Sequence, residues 1–249
     1  MNEGAFRALR SAATTFVRVK ATARKFRRSQ QDLNPSRFLA PSIGATSGEE
    51  GISSPSAWRA LVEAPAPGDH ILFWSDDSAS SDSIIAAFVR GGLQRNDLLA
   101  VVWPNVERNT LRGQCEAAGV SLDEQIVRGN VILLSAEQYY PHDPHDETRI
   151  GSLFDELNER VRARRKSGLS VMGRIAPSLF ERGDPIRAET VERMVGARQG
   201  TARVLCPYRA KRVARLAGAA SLVRSHSHTI TALGRDRFLL EPVGSRPRP

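Results

Sequence analysis

The segment Ser75-Asp76-Asp77-Ser78-Ala79-Ser80-Ser81-Asp82 directly follows the apolar run His70-Ile-Leu-Phe-Trp74. In phosphate-binding α/β proteins the turn at this position supplies glycines, a lysine and a Ser or Thr, so that backbone N–H groups and an ammonium cradle the anion. This turn contains neither Gly nor Lys and presents three carboxylates. A phosphate arriving there would meet like charge, which argues against a working P-loop. Ser81 or Asp82 is expected to cap the helix that follows.

Other residues with chemical potential lack the spacing that would organise them. His142-Asp-Pro-His-Asp146 has metal-capable side chains in a Pro-containing loop, with no matching pair elsewhere. His226 and His228 alternate, so on a strand both would point to one face, which suits a metal or equally a polar edge. On balance no metal centre and no cofactor are expected. Ser, His and Asp are all present without a Gly-x-Ser-x-Gly elbow to arrange them. Cys206, at a strand end, reads as a buried small hydrophobe. Gly91-Gly92 is expected to cap a helix C-terminus in the left-handed conformation and is no dinucleotide fingerprint.

Alternating apolar runs and helical periods must position these groups. Strands are predicted at His70–Trp74, Leu98–Trp103, Val131–Leu134, Leu169–Ile175 and Ala202–Cys206, and further at Thr229–Leu233 and Arg237–Leu240. Helices are predicted at Ser83–Gln94, Val106–Ala118, Leu122–Val127, Ile150–Lys166, Ala188–Ala197 and Ala210–Val223. Strands of consecutive Leu, Val and Ile separated by helices imply a mostly parallel sheet covered on both faces. With right-handed crossovers the result is a doubly wound three-layer α/β sandwich.

Ligands of such sheets bind beyond the carboxyl ends of the strands, near a switch in strand order. That rule nominates Asp76 and Asp77 with Ser75, Trp103 with Asn105, Glu137 with Ser135, Arg174, and Tyr208 with Pro207 and Arg209. Asp76, Asp77, Trp103, Glu137, Arg174 and Tyr208 form the expected ligand-binding set, whose mixed character suits a small polar-headed organic molecule. The aromatics are explained equally well as core or rim residues.

The formal net charge of +9 is concentrated in one segment. Residues 1–40 hold nine Lys or Arg against Glu3 and Asp32, a net of +7, which leaves +2 for the other 209 residues. Basicity therefore belongs to a tail and not to the folded domain, so it gives no case for nucleic-acid binding by the fold. Phe6, Leu9, Ala13, Phe16 and Val17 recur at helical spacing within it, which suits a short amphipathic helix or weak contact with an anionic surface. Residues 1–56 are expected to be tail and linker, 57–240 the domain, and 241–249 a disordered C-terminal tail. No run is long enough to span a bilayer. Two cysteines without CxxC spacing suit the cytoplasm.

Several short segments, in order, resemble the MEDS family (methanogen/methylotroph DcmR-like sensory domains). They are Pro67-Gly-Asp-His-Ile-Leu-Phe-Trp74, Ile85-Ala-Ala-Phe-Val-Arg-Gly-Gly-Leu93, Ala118-Gly-Val120 with Arg128-Gly-Asn130, Gly173-Arg-Ile-Ala176, Leu205-Cys-Pro-Tyr208, and His226 or His228. The resemblance spans about residues 60–233. It implies a sensory input domain with a RecA/KaiC-like fold, as found in bacterial and archaeal signalling proteins. One position departs from the family pattern: Arg174 stands where an acid is usual, which reverses the charge.

The expectation is a non-catalytic sensory or regulatory domain that binds a small organic ligand or a signalling protein. The alternative is a divergent RecA-like nucleotide-binding protein, an ATPase in which Asp76, Asp77 or Glu137 holds Mg²⁺.

Overall fold

A computed structural model describes residues 52–53, 55–142, 146, 148–209, 219–234 and 237–243, all within the compact unit Gly48–Pro249. The basic segment 1–40 and its expected helix lie outside the described residues. So do residues 210–218 of the last expected helix and the centre of the His142–Asp146 loop.

The strands are β1 (Ile52–Ser53), β2 (His70–Ser75), β3 (Leu98–Trp103), β4 (Val131–Ser135), β5 (Leu169–Gly173), β6 (Arg203–Arg209), β7 (His228–Ala232) and β8 (Phe238–Pro242). They form one sheet in the order β1-β8-β7-β2-β6-β5-β3-β4. From β7 across to β4 every pairing is parallel, while β8 is antiparallel to both β7 and β1. The helices are α1 (Pro55–Glu63), α2 (Ser78–Gln94), α3 (Arg108–Ala117), α4 (Leu122–Val127), α5 (Thr148–Ala163), α6 (Ile175–Glu181), α7 (Pro185–Arg198) and α8 (Ala219–Arg224).

Side-chain alternation along the strands builds two cores. Leu72, Trp74, Ala100, Val102, Val171 and Val204 face α5, α6 and α7. Ile71, Phe73, Leu99, Val101, Met172 and Leu205 face α1, α2, α3 and α4. Both surfaces of β3 are therefore apolar, and its sequence LLAVVW is buried throughout. The chain winds one way from β2 through β3 to β4 with helices on one face. It then returns through β5 and β6 to β7 with helices on the other, as a single hand of crossover requires. This is the expected doubly wound three-layer sandwich.

Local differences have identifiable causes. Helix α2 begins at Ser78, five residues earlier than expected, because Asp77 and not Ser81 or Asp82 is the N-cap. Its carboxylate accepts from Ala79 N and Ser80 N, both at 3.1 Å. Gly91 and Gly92 lie inside α2 with ordinary helical backbone, not at a left-handed cap. Gly91 is required by packing instead, since a Cβ there would strike the Glu63 carbonyl at the end of α1. The expected strand to Ile175 stops at Gly173, where its ladder with β3 ends, and α6 starts with Pro177 in its first turn, where the missing N–H is harmless. The segment read as tail and linker, residues 1–56, contributes β1 and the first two residues of α1. Trp58 and Val62, one helical turn apart, are buried, and the Trp58 ring lies 4.6 Å from Phe238. The sheet thus reaches past both expected domain boundaries, 57 and 240.

Candidate functional site

Strand order brings four carboxyl ends together. The helices after β2 and β3 lie on one face, and those after their neighbours β6 and β5 lie on the other. The chain therefore parts at two adjacent switch points. A cleft of about 360 Å³ opens there, lined by Ser75, Asp76 and Asp77 after β2, by Trp103 and Glu107 after β3, by Arg174 after β5, and by Pro207, Tyr208 and Arg209 of β6. Five of the six expected ligand-binding residues meet in it.

Glu137 does not. It sits beyond β4 on a separate, shallower depression with Ser135 and Asn105. Its carboxylate accepts from Ser135 Oγ at 2.6 Å and Asn105 N at 3.2 Å. Burial opposes its ionisation, but these donors together with the charge of Arg182 hold it below its ordinary value. Strand β4 is at the sheet edge, one place past β3, so the end of β4 cannot reach the switch points.

The cleft is acidic at the lip and charge-paired at its far wall. Asp76 is exposed. Asp77 caps α2 with both carboxylate oxygens, and the second also accepts from Ser80 Oγ at 2.6 Å. The first-turn amides, which would otherwise greet an anion, are already taken by a carboxylate of the chain itself. Arg174 Nε lies 3.3 Å from Glu107, its Nη2 donates to Glu181 at 2.7 Å, and its guanidinium sits 5.5 Å from the centre of the Trp103 ring. Arg209 bridges the same two acids at 3.2 and 3.5 Å. The charge reversal at Arg174 is therefore balanced within the fold. Of the ionisable residues lining the cleft, three are carboxylates and two are guanidiniums.

Tyr208 lines the cleft, yet its hydroxyl turns to the other face of the sheet and donates to Glu192 Oε1 at 2.5 Å. Around that carboxylate lies a second group that the sequence did not suggest as a unit. His70, Glu192, Cys206 and His226 are all buried, with donor atoms within 4.8 Å of one another. The imidazoles of His70 and His226 stack at 3.9 Å between centres. Burial, and then His226 beside it, lowers the pKa of His70 to about 4. Burial alone would raise that of Glu192, but the two imidazoles outweigh it and hold the carboxyl well below the usual range. His226 and His228 do not share a strand face, because β7 begins only at His228. His226 drops into the core, while His228 faces Asp69 at 3.9 Å. Their two-residue spacing gives no sign of His70, Glu192 or Cys206 as neighbours.

The model of the methanogen/methylotroph DcmR sensory domain, MEDS, matches residues 69–227. The chain belongs to the MEDS family. The matched span runs from the residue before β2 to the residue before β7, so it contains the whole cleft and the buried His–Glu–Cys group. Among curated proteins none matches the chain. The MEDS domain is also similar to a KaiC-like protein from the hyperthermophilic archaeon Pyrococcus horikoshii, with a TM-score of 0.49 and 12% identity, covering 74% of this chain and 82% of that one. No helix among the described residues is long and apolar enough to cross a membrane.

Proposed function

We propose that this MEDS domain is a non-catalytic sensory module that takes a small, neutral or cationic organic molecule in the cleft between Asp76, Trp103 and Arg209. Binding would be relayed to a signalling partner. The observation that carries this reading is the state of the α2 N-terminus. In phosphate-binding α/β proteins those amides would face phosphate, whereas here the Asp77 carboxylate accepts from them at 3.1 Å. An anionic ligand would have to displace a carboxylate and approach Asp76 and Glu107, which electrostatics opposes. Trp103 offers an apolar face, and the acidic lip favours an amine or a hydrogen-bond donor. Cys115 and Cys206, neither in a disulfide, support a cytoplasmic location. The +7 of residues 1–40 would add weak contact with anionic surfaces.

The test is a thermal-shift screen of the full chain against small amines, alcohols and Mg-ATP. A stabiliser at 100 times its Kd adds about 2.7 kcal/mol, which such a screen resolves. The expected result is stabilisation by a neutral or cationic organic molecule that is lost in Asp76→Ala. Stabilisation by Mg-ATP, with turnover abolished in Asp76→Ala/Asp77→Ala, would overturn the reading in favour of a divergent nucleotide-binding enzyme.

A further inference from the structure

We infer that His70, Glu192, Cys206 and His226 form a closed four-ligand site for one divalent transition ion of the zinc class. The inference is independent of what the cleft binds, because the group lies on the opposite face of the sheet.

Hydrogen bonding around the group aims its donors inward. His70 Nδ1 lies 3.1 Å from the Ser225 carbonyl and His226 Nδ1 lies 2.7 Å from the Leu222 carbonyl. A carbonyl can only accept, so each ring carries a proton on Nδ1, and in the neutral ring Nε2 presents a lone pair. Both Nε2 atoms face Glu192 Oε2, at 3.2 and 3.4 Å. The Tyr208 hydroxyl donates to Oε1 and leaves Oε2 to face them. Cys206 Sγ completes the set, 3.3 Å from His70 Nε2 and 3.6 Å from Oε2. His226 Nε2 is buried and makes no hydrogen bond. In the metal-free chain a proton on an imidazole Nε2 and the Cys206 S–H offset the carboxylate, and a cation at the centre would take the place of those protons and be coordinated by all four donors.

Two donors each about 2.1 Å from a tetrahedral ion stand ~3.4 Å apart; four of the six donor pairs lie 3.2 to 3.6 Å apart, and all six lie within 4.8 Å. Two imidazoles, a thiolate and one carboxylate suit zinc, whereas magnesium and calcium prefer all-oxygen shells. The two Nδ1–carbonyl bonds and the Tyr208 bond form the outer shell that fixes such ligands. All four positions are filled by the chain, so the site is closed and its role is to join β2, α7, β6 and the segment after α8. Binding would release the Cys206 proton to solvent.

The experiment uses the full chain stripped by a chelator and titrated with Co²⁺, and in parallel with Zn²⁺. The expected result is one Co²⁺ per chain with the intense visible bands of tetrahedral cobalt and a thiolate-to-cobalt charge-transfer band. Zn²⁺ should displace the cobalt and raise the melting temperature. The charge-transfer band should vanish in Cys206→Ser and persist in Cys115→Ser. The one-to-one stoichiometry should persist in His142→Ala, which separates the site from the His142–Asp146 loop. If Cys206→Ser fails to fold, the unaltered chain still decides the matter through stoichiometry and spectrum. A folded chain that takes up no cobalt, or whose cobalt spectrum lacks the thiolate band, overturns the inference.

Discussion

Arg174 Nη2 donates to Glu181 Oε1 at 2.7 Å, with both side chains withdrawn from solvent at 6% and 4% exposure. This bond anchors a cycle of four charges, since Arg174 and Arg209 each touch both Glu107 and Glu181. Arg174 is thus part of a charge-balanced set of four and not a cation waiting for a ligand.

Removing one member of a buried ion pair strands the other. Arg174→Met is expected to destabilise the domain by about 3 kcal/mol, read as a lower denaturation midpoint at unchanged slope. Arg174→Glu, which adds a third acid to Glu107 and Glu181, is expected to be worse. Arg174→Met/Glu181→Leu should recover most of the loss by removing both charges. A single-variant loss below about 1 kcal/mol would show that the pair is hydrated and weak.

Two glycines in helices should respond in opposite ways to the same change. Gly91→Ala drives a methyl into the Glu63 carbonyl of α1 and is expected to cost about 1–3 kcal/mol by overpacking. In α3, Gly113 has nothing within 4 Å of an added Cβ, so Gly113→Ala should be stabilising by about 0.5 kcal/mol. Equal effects in urea denaturation would refute the close approach of α1 and α2.

Loss of the Asp77 cap leaves two first-turn amides without an acceptor. Asp77→Ala is expected to lower stability by about 1 kcal/mol, whereas Asp77→Asn or Asp77→Ser retains most of it. Hydrogen exchange at Ala79 and Ser80 should accelerate only in the alanine variant.

Both cysteines should be inert in the folded chain. Burial, reinforced by Asp82 and Glu116, pushes the Cys115 thiol up to about 12, and burial beside Glu192 raises Cys206 well above its ordinary value. At pH 8 a thiol with a pKa of about 12 is thiolate in about one molecule in 10⁴. A thiol reagent should therefore label neither residue in the native protein and both in guanidinium. Rapid native labelling of Cys115 would contradict its burial against α2.

Glu137 should titrate below the usual carboxylate range. Burial opposes its ionisation, and the Ser135 hydroxyl is the leading donor that overcomes it. Its folded pKa is depressed, so its contribution is present above the unfolded value and is lost as pH falls through the folded one. Ser135→Ala should move the carboxyl midpoint upward in an NMR titration. An unmoved midpoint would assign the shift to Asn105 and Arg182 instead.

Much of this arrangement was legible in the residues. Runs such as Leu98–Trp103 and Val131–Leu134, separated by helical periods, demand a parallel sheet covered on both faces. Five of the six residues nominated by the strand-end rule line one cleft. Glu137 lies apart from them because β4 is at the sheet edge, which no local pattern encodes. Gly91 was read as a cap because its constraint comes from Glu63, on a different helix.

The sequence by itself determined the fold class and the acidity of the first turn, because propensity, periodicity and charge act over a few neighbouring residues. Only the tertiary structure decided that Asp77 would cap α2, that Arg174 and Arg209 would share two acids, and that His70, Glu192, Cys206 and His226 would meet. Those four residues are far apart along the chain. They converge because β2 and β6 pair in register and α7 and the segment after α8 cover the same face, relations set by packing of the whole sheet.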